Sequence, residues 1–474
     1  MKSEHNTFDI IVIGAGSGGL NVAGFMNRVG FRVLLIDKSN EHIGGDCLNH
    51  GCVPSKAFIH VAREIHAGKK SSNFGLTLGG DIDIKKVLRY VKEKQDVFRV
   101  HENAEHFRKL GMTVVLGEAT FSGKHHVTVG GVEYVGKKII IATGSRPAKL
   151  VLEGMADVPV YTNETVFAMT TLPRKFVFVG GGPISIELGQ AFSMLGSDVT
   201  IVHGGTQLLE KEDPDVGVFM KKELEAMGVT VLLGARPKKY TNAEIVIETA
   251  SGELALPADA LFAGIGRVLN IENLALASAG IARTPDEKKI VVDAYLRTTN
   301  KDVYTVGDVA GGLQFTHAAE LHASLMLKNF FSPFKKKLNT DSFGWVTYTT
   351  PEVATFGLAP LELVKRGIAF ETVSSTREED DRAIVDGSRG FLKLFVGKKG
   401  ILLGGTLVAP HAGEIVGELL LAKSKDLNIA DLFNRVAPYP TASRIIRRVA
   451  GQYQSKKLTP RVKRLLQVLF TYFR

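Results

Sequence analysis

The sequence predicts an α/β protein: two parallel-sheet units of the same kind, an α+β domain after them, and an appended basic helical tail. Three observations carry this. A short β-rich run, a glycine cluster, a helix and a second strand occur twice in that order. From about Asn339 short strands alternate with short helices, the grammar of an α+β domain. From Thr441 onward the composition turns strongly basic.

The first unit opens with FDIIVI (8–13), a buried-strand pattern, followed by GAGSGG, a helical stretch from Leu20 to Val29, and a strand from Arg32 to Ile36 that ends at Asp37. Its glycines are spaced Gly14-x-Gly16-x-x-Gly19. Gly14 permits a tight turn, Gly16 lets the backbone approach a pyrophosphate, and Gly19 lets helix and strand pack closely. The helix N-terminus then offers its N–H groups to phosphate, and Asp37 can bind ribose hydroxyls. The second unit runs from Lys175–Val179 through GGGPIS to a helix over Ile186–Leu195 and a strand over Val199–Val202. Its fingerprint is Gly180-x-Gly182-x-x-Ser185, with serine where glycine or alanine is usual. Both units therefore read as Rossmann-like dinucleotide-binding domains. Between them lie a helical region, Ile82–Leu110, and IIIATGSRP (139–147); YTVGDVAGG (304–312) reads as strand then loop. The third domain shows strands near Val346, Thr355, Phe391 and Leu402 and helices near Pro360 and Glu414.

A chain of 474 residues exceeds one typical core, so several domains are expected. Two cysteines exclude a disulfide scaffold and a four-thiolate zinc site. The N-terminus lacks a signal-peptide pattern, and no apolar run approaches the roughly 20 residues that span a bilayer. The expected compartment is the cytoplasm, where thiols stay reduced and a close cysteine pair is more often catalytic than structural. The net charge is +10, yet Thr441–Arg474 alone holds nine Lys or Arg and no acid, so the body is near neutral.

The strongest local signal is GGDCLNHGCVPSK (44–56), in which four residues separate Cys47 from Cys52. A helix starting near Cys47 brings such a pair within disulfide reach when its turn is distorted, and a helix N-terminus stabilises a thiolate. A metal site using His50 and a pair of inert buried thiols are the rival readings; no fourth metal ligand is evident, and no resident metal is expected.

Taken together, the two fingerprints, the cysteine block, ATG (142–144) and GD (307–308) resemble the pyridine nucleotide-disulfide oxidoreductases. The resemblance covers about residues 8–443, and GGGPIS, EDPD (212–215) and PYPT (438–441) look most like the mercuric reductase-like branch, close to lipoamide dehydrogenases. It implies FAD and NADH or NADPH as cofactors and a homodimer. It divides the chain into a discontinuous FAD domain (1–152 and 272–338), an NAD(P) domain (153–271), a dimerisation domain (339–441) and the tail (442–474). It implies that Cys52 adjoins the flavin, that Cys47 is the interchange thiol, and that Lys56 approaches the flavin and pairs with Glu187. Asp308 would hold the ribityl chain, and Arg267 would contact NAD(P)H. His317 would lie near the flavin, with a packed helix-start histidine as the alternative. The cofactor-contacting set it implies further includes Gly14, Gly16, Gly19, Asp37, Lys38, Gly45, Ala142, Thr143, Gly144, Gly180, Gly182, His203, Phe315 and Thr316.

The departures matter as much. Thiol-substrate members carry a C-terminal His–Glu pair as general base; this chain has Tyr439 and Arg444 there. A tyrosine, with an ordinary pKa near 10, is a poor substitute for an imidazole at neutral pH. Mercuric reductases also have tyrosine near this position but add a C-terminal cysteine pair, which this sequence lacks. Neither an acid nor an arginine, the usual NAD and NADP discriminators, stands at His203–Gly204. The expected activity is transfer of electrons from NAD(P)H through FAD and Cys47–Cys52 to a metal ion, disulfide, quinone or oxidant. Dihydrolipoamide dehydrogenase-type activity and a membrane-docked redox partner or sensor are the alternatives. In the tail, Arg444–Lys457 and Pro460–Arg474 read as helices. Arg461, Arg464, Gln467, Thr471 and Arg474 lie opposite a broad apolar face, a pattern of interfacial helices on anionic membranes. Packing on the protein's own dimer is the competing reading. The corresponding location is peripheral, on the inner face of the membrane. No nucleic-acid-reading motif is present.

Overall fold

In the computed structural model, residues 6–473 are described. They form two compact units: one runs to Gly204 and includes Met227–Leu338, the other comprises Gly205–Ala226 and the residues from Asn339 onward.

The first unit contains β1 (Thr7–Ile13), α1 (Ser17–Arg28) and β2 (Val33–Asp37). Its main sheet has parallel strands in the order Thr113–Leu116, β2, β1, Val132–Ile141 and Val303–Thr305. Ile13 is in register with both Ile36 and Ile141. The central strands β1 and β2 are covered on both faces. Ile10, Val12 and Leu35 pack with Val22, Ala23 and Met26 of α1, while Ile11, Ile13, Leu34 and Ile36 pack with Phe121 and Ile271. Two-sided burial explains the unbroken apolar run that the sequence shows. A second parallel sheet repeats the plan, in the order Thr230–Leu233, Asp198–His203, Lys175–Val179, Ala260–Ala263 and Val160–Tyr161.

Several boundaries differ from the sequence reading. α1 begins at Ser17 rather than Leu20, because the chain turns in at Gly16 and the first turn is Ser-Gly-Gly, which apolar periodicity does not mark. The helix of the second fingerprint, Pro183–Met194, likewise starts before Ile186, with Pro183 in its first turn. The region Ile82–Leu110 is two helices, Ile84–Arg99 and Ala104–Lys109. Asp83 caps the first by accepting from Lys85 N at 2.9 Å, and Asn103 caps the second by accepting from His106 N at 2.8 Å.

The second unit is a five-stranded antiparallel sheet in the order Gly344–Thr347, Glu352–Gly357, Leu402–Ala409, Phe391–Val396, Glu371–Thr376. Helices Ala412–Ser424, Ile429–Asn434 and Arg444–Ser455 pack on it through Val416, Leu419, Ile429, Leu432, Ile445 and Val449. The EDPD stretch belongs to this unit. Buried Glu212 accepts from Thr355 Oγ1 at 2.5 Å and from Trp345 Nε1, and burial raises its carboxyl above the usual range. Lys393 Nζ reaches Asp213 at 2.7 Å and Asp215 at 2.5 Å. The tail helix, Pro460–Tyr472, buries no residue. Arg474, which the sequence reading places on its polar face, lies outside the described residues.

Candidate redox and nucleotide site

The first glycine turn is built for close approach. Gly14 has φ +107°, and a Cβ there would sit 2.3 Å from Ala142 O. A Cβ on Gly45, at φ +62°, would sit 2.6 Å from Gly16 Cα. No side chain caps α1, so its first-turn N–H groups remain available to phosphate beside these bare glycines. Asp37 Oδ2 accepts from Ala15 N at 2.6 Å and Oδ1 from Lys38 N at 2.7 Å, which aligns the acid with the turn; burial nevertheless raises its pKa. The cradle fits a dinucleotide pyrophosphate: every atom that a side chain would add there is missing, and the exposed backbone is donor-rich.

The cysteine block folds as two helices, α2 (Gly45–Asn49) and α3 (Cys52–Lys70), rather than one helix from Cys47. Gly51, at φ −115° and ψ −111°, breaks the helical path between them. Cys47 thus lies inside a short helix, and Cys52 begins a 19-residue one. The two thiols lie close enough to perturb each other, and Thr316 Oγ1 lies 3.1 Å from Cys52 Sγ. The neighbouring Cys47 side chain pulls the Cys52 thiol down to about 6; crowding by protein atoms opposes this, while Thr316 and the Lys56 charge add to it. Cys52 still reaches solvent. The Cys47 thiol is pushed up by Cys52 in turn and by burial. One thiolate and one thiol is the asymmetry that a dithiol relay needs. Lys56 Nζ donates to Glu187 Oε2 at 2.7 Å, joining α3 to the second fingerprint helix.

A polar cluster adjoins the cysteines. Arg267 Nε donates to Ser145 Oγ at 2.7 Å and lies 3.6 Å from Asp308 Oδ2, while its Nη2 lies 3.1 Å from Asp46 Oδ2. Ser145 Oγ donates to Asp308 Oδ2 at 2.5 Å, and burial raises the Asp308 pKa. Asn163 Nδ2 donates to Asp46 Oδ1 at 3.1 Å. Thr143 Oγ1 donates to Asn270 O at 2.7 Å, and Asn270 N donates back to Gly144 O at 3.0 Å. Asp46, Ser145, Asn163 and Asn270 escaped the sequence reading; only Asp46, next to Cys47, gave a signal that could have been used. Phe315 and His317 flank Thr316, their rings 5.5 Å apart, with the histidine exposed at the helix start.

In the second fingerprint, a Cβ on Gly180 would meet Gly264 O at 2.3 Å, whereas Gly182 faces open space. Ser185 is fully buried, and a Cβ on Gly264 would lie 2.0 Å from its Oγ. Glycine at 264 is what accommodates serine at the third fingerprint position. His203 Nδ1 accepts from Gly181 N at 3.1 Å. In the second unit, Tyr439 is exposed and the Arg444 guanidinium lies 5.1 Å from its ring centre.

Two doubly wound nucleotide sheets, a dithiol at a helix start and an α+β unit define a flavin-dependent disulfide reductase fold. The model of the pyridine nucleotide-disulphide oxidoreductases matches residues 8–323, and that of their dimerisation domain matches residues 344–450. The chain belongs to this family, whose members are enzymes that use FAD and NAD(P)H. It is 30% identical over 448 residues to dihydrolipoyl dehydrogenase of Mycoplasma genitalium, covering 93% of this chain and 97% of that one. It is 32% identical over 449 residues to mercuric reductase of Acidithiobacillus ferrooxidans, covering 91% and 80%. The solved Cu(II) complex of the HOCl-induced flavoprotein disulfide reductase RclA from Escherichia coli matches with a TM-score of 0.82 at 26% identity, covering 94% of this chain and 99% of that one. The dimerisation domain supports a homodimer. No described helix is long and apolar enough to cross a membrane.

Proposed function

We propose that this enzyme passes electrons from NAD(P)H, bound by residues 153–271, through FAD, bound by 1–152 and 272–338, to Cys47–Cys52 and on to a thiophilic metal ion or small oxidant. Bound FAD supplies the two-electron link between nicotinamide and disulfide. The chain's own residues do the rest. Cys52, at the start of α3, holds the thiolate. Cys47 keeps the proton and meets the acceptor. Lys56, anchored by Glu187, sets the positive field beside Cys52.

The observation that carries the choice of acceptor is the Tyr439–Arg444 pair. A dithiol substrate needs its proton removed by a positioned base. Here a guanidinium faces the phenol where an imidazole and an orienting carboxylate would serve that substrate. A metal ion bound by thiolates needs no such base. Mercuric ion and Cu(II) are named for relatives of this chain, which supports the metal class. Stopped-flow reduction with NAD(P)H, followed by mixing with Cu(II), Hg(II), hypochlorous acid or lipoamide, tests this. Fast reoxidation by lipoamide alone would overturn it.

A second observation bears on partners. Every described residue from Pro460 to Phe473 is exposed. Val462, Leu465, Leu466, Leu469 and Phe473 share one broad face, with Lys463, Arg464, Gln467 and Thr471 opposite. Arg448 of the preceding helix pairs with Glu379, and Lys456 just beyond it pairs with Glu371. Arg461, Lys463 and Arg464 make no ion pair among the described residues. We infer that the tail helix lies on an anionic lipid surface, where each basic residue contributes about 1 kcal/mol. Flotation with phosphatidylserine vesicles should carry the full chain but not one stopped after Lys457. Equal behaviour, or loss of the dimer on truncation, would assign the helix to the protein itself.

A further inference from the structure

The second nucleotide unit carries neither usual discriminator at His203–Gly204, but an arginine lies beside that position. In such a unit the end of the second strand faces the adenosine ribose. An acid there takes the 2′-hydroxyl, and an arginine nearby takes a 2′-phosphate. Here the strand Asp198–His203 ends in histidine, and Gly204 follows. A Cβ on Gly204 would lie 3.3 Å from Arg236 Nε and 3.5 Å from Arg236 Cγ. The Arg236 side chain, from Cγ to Nε, thus lies against the position where a side chain at 204 would stand.

Its placement is fixed by backbone. His203 is in parallel register with Leu233, and Ala235 N donates to His203 O at 2.9 Å. The next residue, Arg236, opens the strand Arg236–Thr241 at the strand end. Arg236 is exposed and makes no side-chain ion pair or hydrogen bond among the described residues. Glu248 opposes it across the antiparallel pair without forming an ion pair. His203 is held at the glycine turn through Gly181. Gly182 faces open space, leaving the pyrophosphate path clear.

We propose that Arg236, with His203 beside it, binds the 2′-phosphate of NADPH and makes this enzyme prefer NADPH over NADH. The inference rests on the reading that residues 153–271 bind the nicotinamide nucleotide. Isothermal titration of the FAD-loaded dimer with 2′,5′-ADP and with 5′-AMP tests it without turnover. 2′,5′-ADP should bind roughly tenfold or more tightly than 5′-AMP, the value of a charge-assisted contact. Arg236→Gln should erase that advantage while leaving 5′-AMP binding unchanged, and the ratio of kcat/KM for NADPH to that for NADH should fall in step. Arg236→Lys should keep part of it. Equal binding of the two probes by the wild type overturns the proposal. So does an equal loss for both probes in Arg236→Gln, which would mean the guanidinium packs on the adenine. Binding of neither probe would overturn the underlying assignment of the nucleotide unit.

Discussion

Lys56 and Glu187, 131 positions apart in sequence, meet at 2.7 Å, and the contact ties the helix that begins with Cys52 to the helix of the second fingerprint. Glu187 is buried, while Lys56 keeps contact with solvent. Lys56→Met removes a positive charge that favours the Cys52 thiolate and one partner of the buried Glu187 carboxylate. The Cys52 pKa should rise above about 6. Unfolding in urea should show a loss of about 1 kcal/mol or more, the usual contribution of one hydrogen bond between charged groups. Unchanged values for both would show that the pair is incidental.

The cysteines should be distinguishable by spectroscopy. If Cys52 adjoins the flavin as proposed, its thiolate in the NAD(P)H-reduced enzyme should give long-wavelength absorbance, which Cys52→Ser should abolish and Cys47→Ser retain without reduction. Because the thiolate is the absorbing form, the band in reduced wild type should persist above about pH 6 and fade as pH falls through it. Identical behaviour of the two variants would falsify the assignment.

Lipoamide turnover should be slow in the wild type. Tyr439→His with Arg444→Glu replaces a guanidinium stacked on a phenol by an imidazole with an orienting acid. The double variant should gain on the order of 10²-fold in dihydrolipoamide oxidation, the lower range for a positioned base. Tyr439→His alone should gain less, since Arg444 disfavours the protonated ring. Steady-state assays of the three proteins decide this.

Packing in the second fingerprint makes a coupled prediction. Gly264→Ala drives a methyl to within 2.0 Å of the Ser185 hydroxyl and should cost about 1–3 kcal/mol. Ser185→Gly should relieve most of that loss in the double variant. Thermal unfolding of the four proteins gives the coupling energy, and simple additivity would mean that the two sites do not meet.

Much of the nucleotide architecture was legible because two-sided burial writes itself as apolar runs and close approach writes itself as glycine. Ile10–Ile13 and Gly14 are examples. Caps were less visible: Asn103 starts a second helix inside a region whose periodicity looks continuous. The antiparallel sheet of Arg236–Thr241, Glu244–Thr249 and Gly252–Pro257 went unread, since its strands are polar on one face and short. The Cys47–Cys52 spacing pointed to two thiols close in space, but the break at Gly51 did not follow from spacing. Asp46, Ser145 and Arg267 converge from distant segments, and no local pattern records such a meeting. Gly204 and Arg236 show the same limit, because a discriminator supplied from a neighbouring strand leaves nothing at the expected position.

The membership of Gly205–Ala226 in the second compact unit constrains how this enzyme can be recombined. A chimera that exchanges residues 153–271 wholesale to alter cofactor choice would import foreign partners for Trp345 and Thr355, which hold Glu212, and for Lys393, which holds Asp213 and Asp215. Crossovers placed after Gly204 and before Met227 would leave that brace native. Evolution faces the same constraint: a replacement that spans residues 205–226 must bring acids that still answer to Trp345, Thr355 and Lys393.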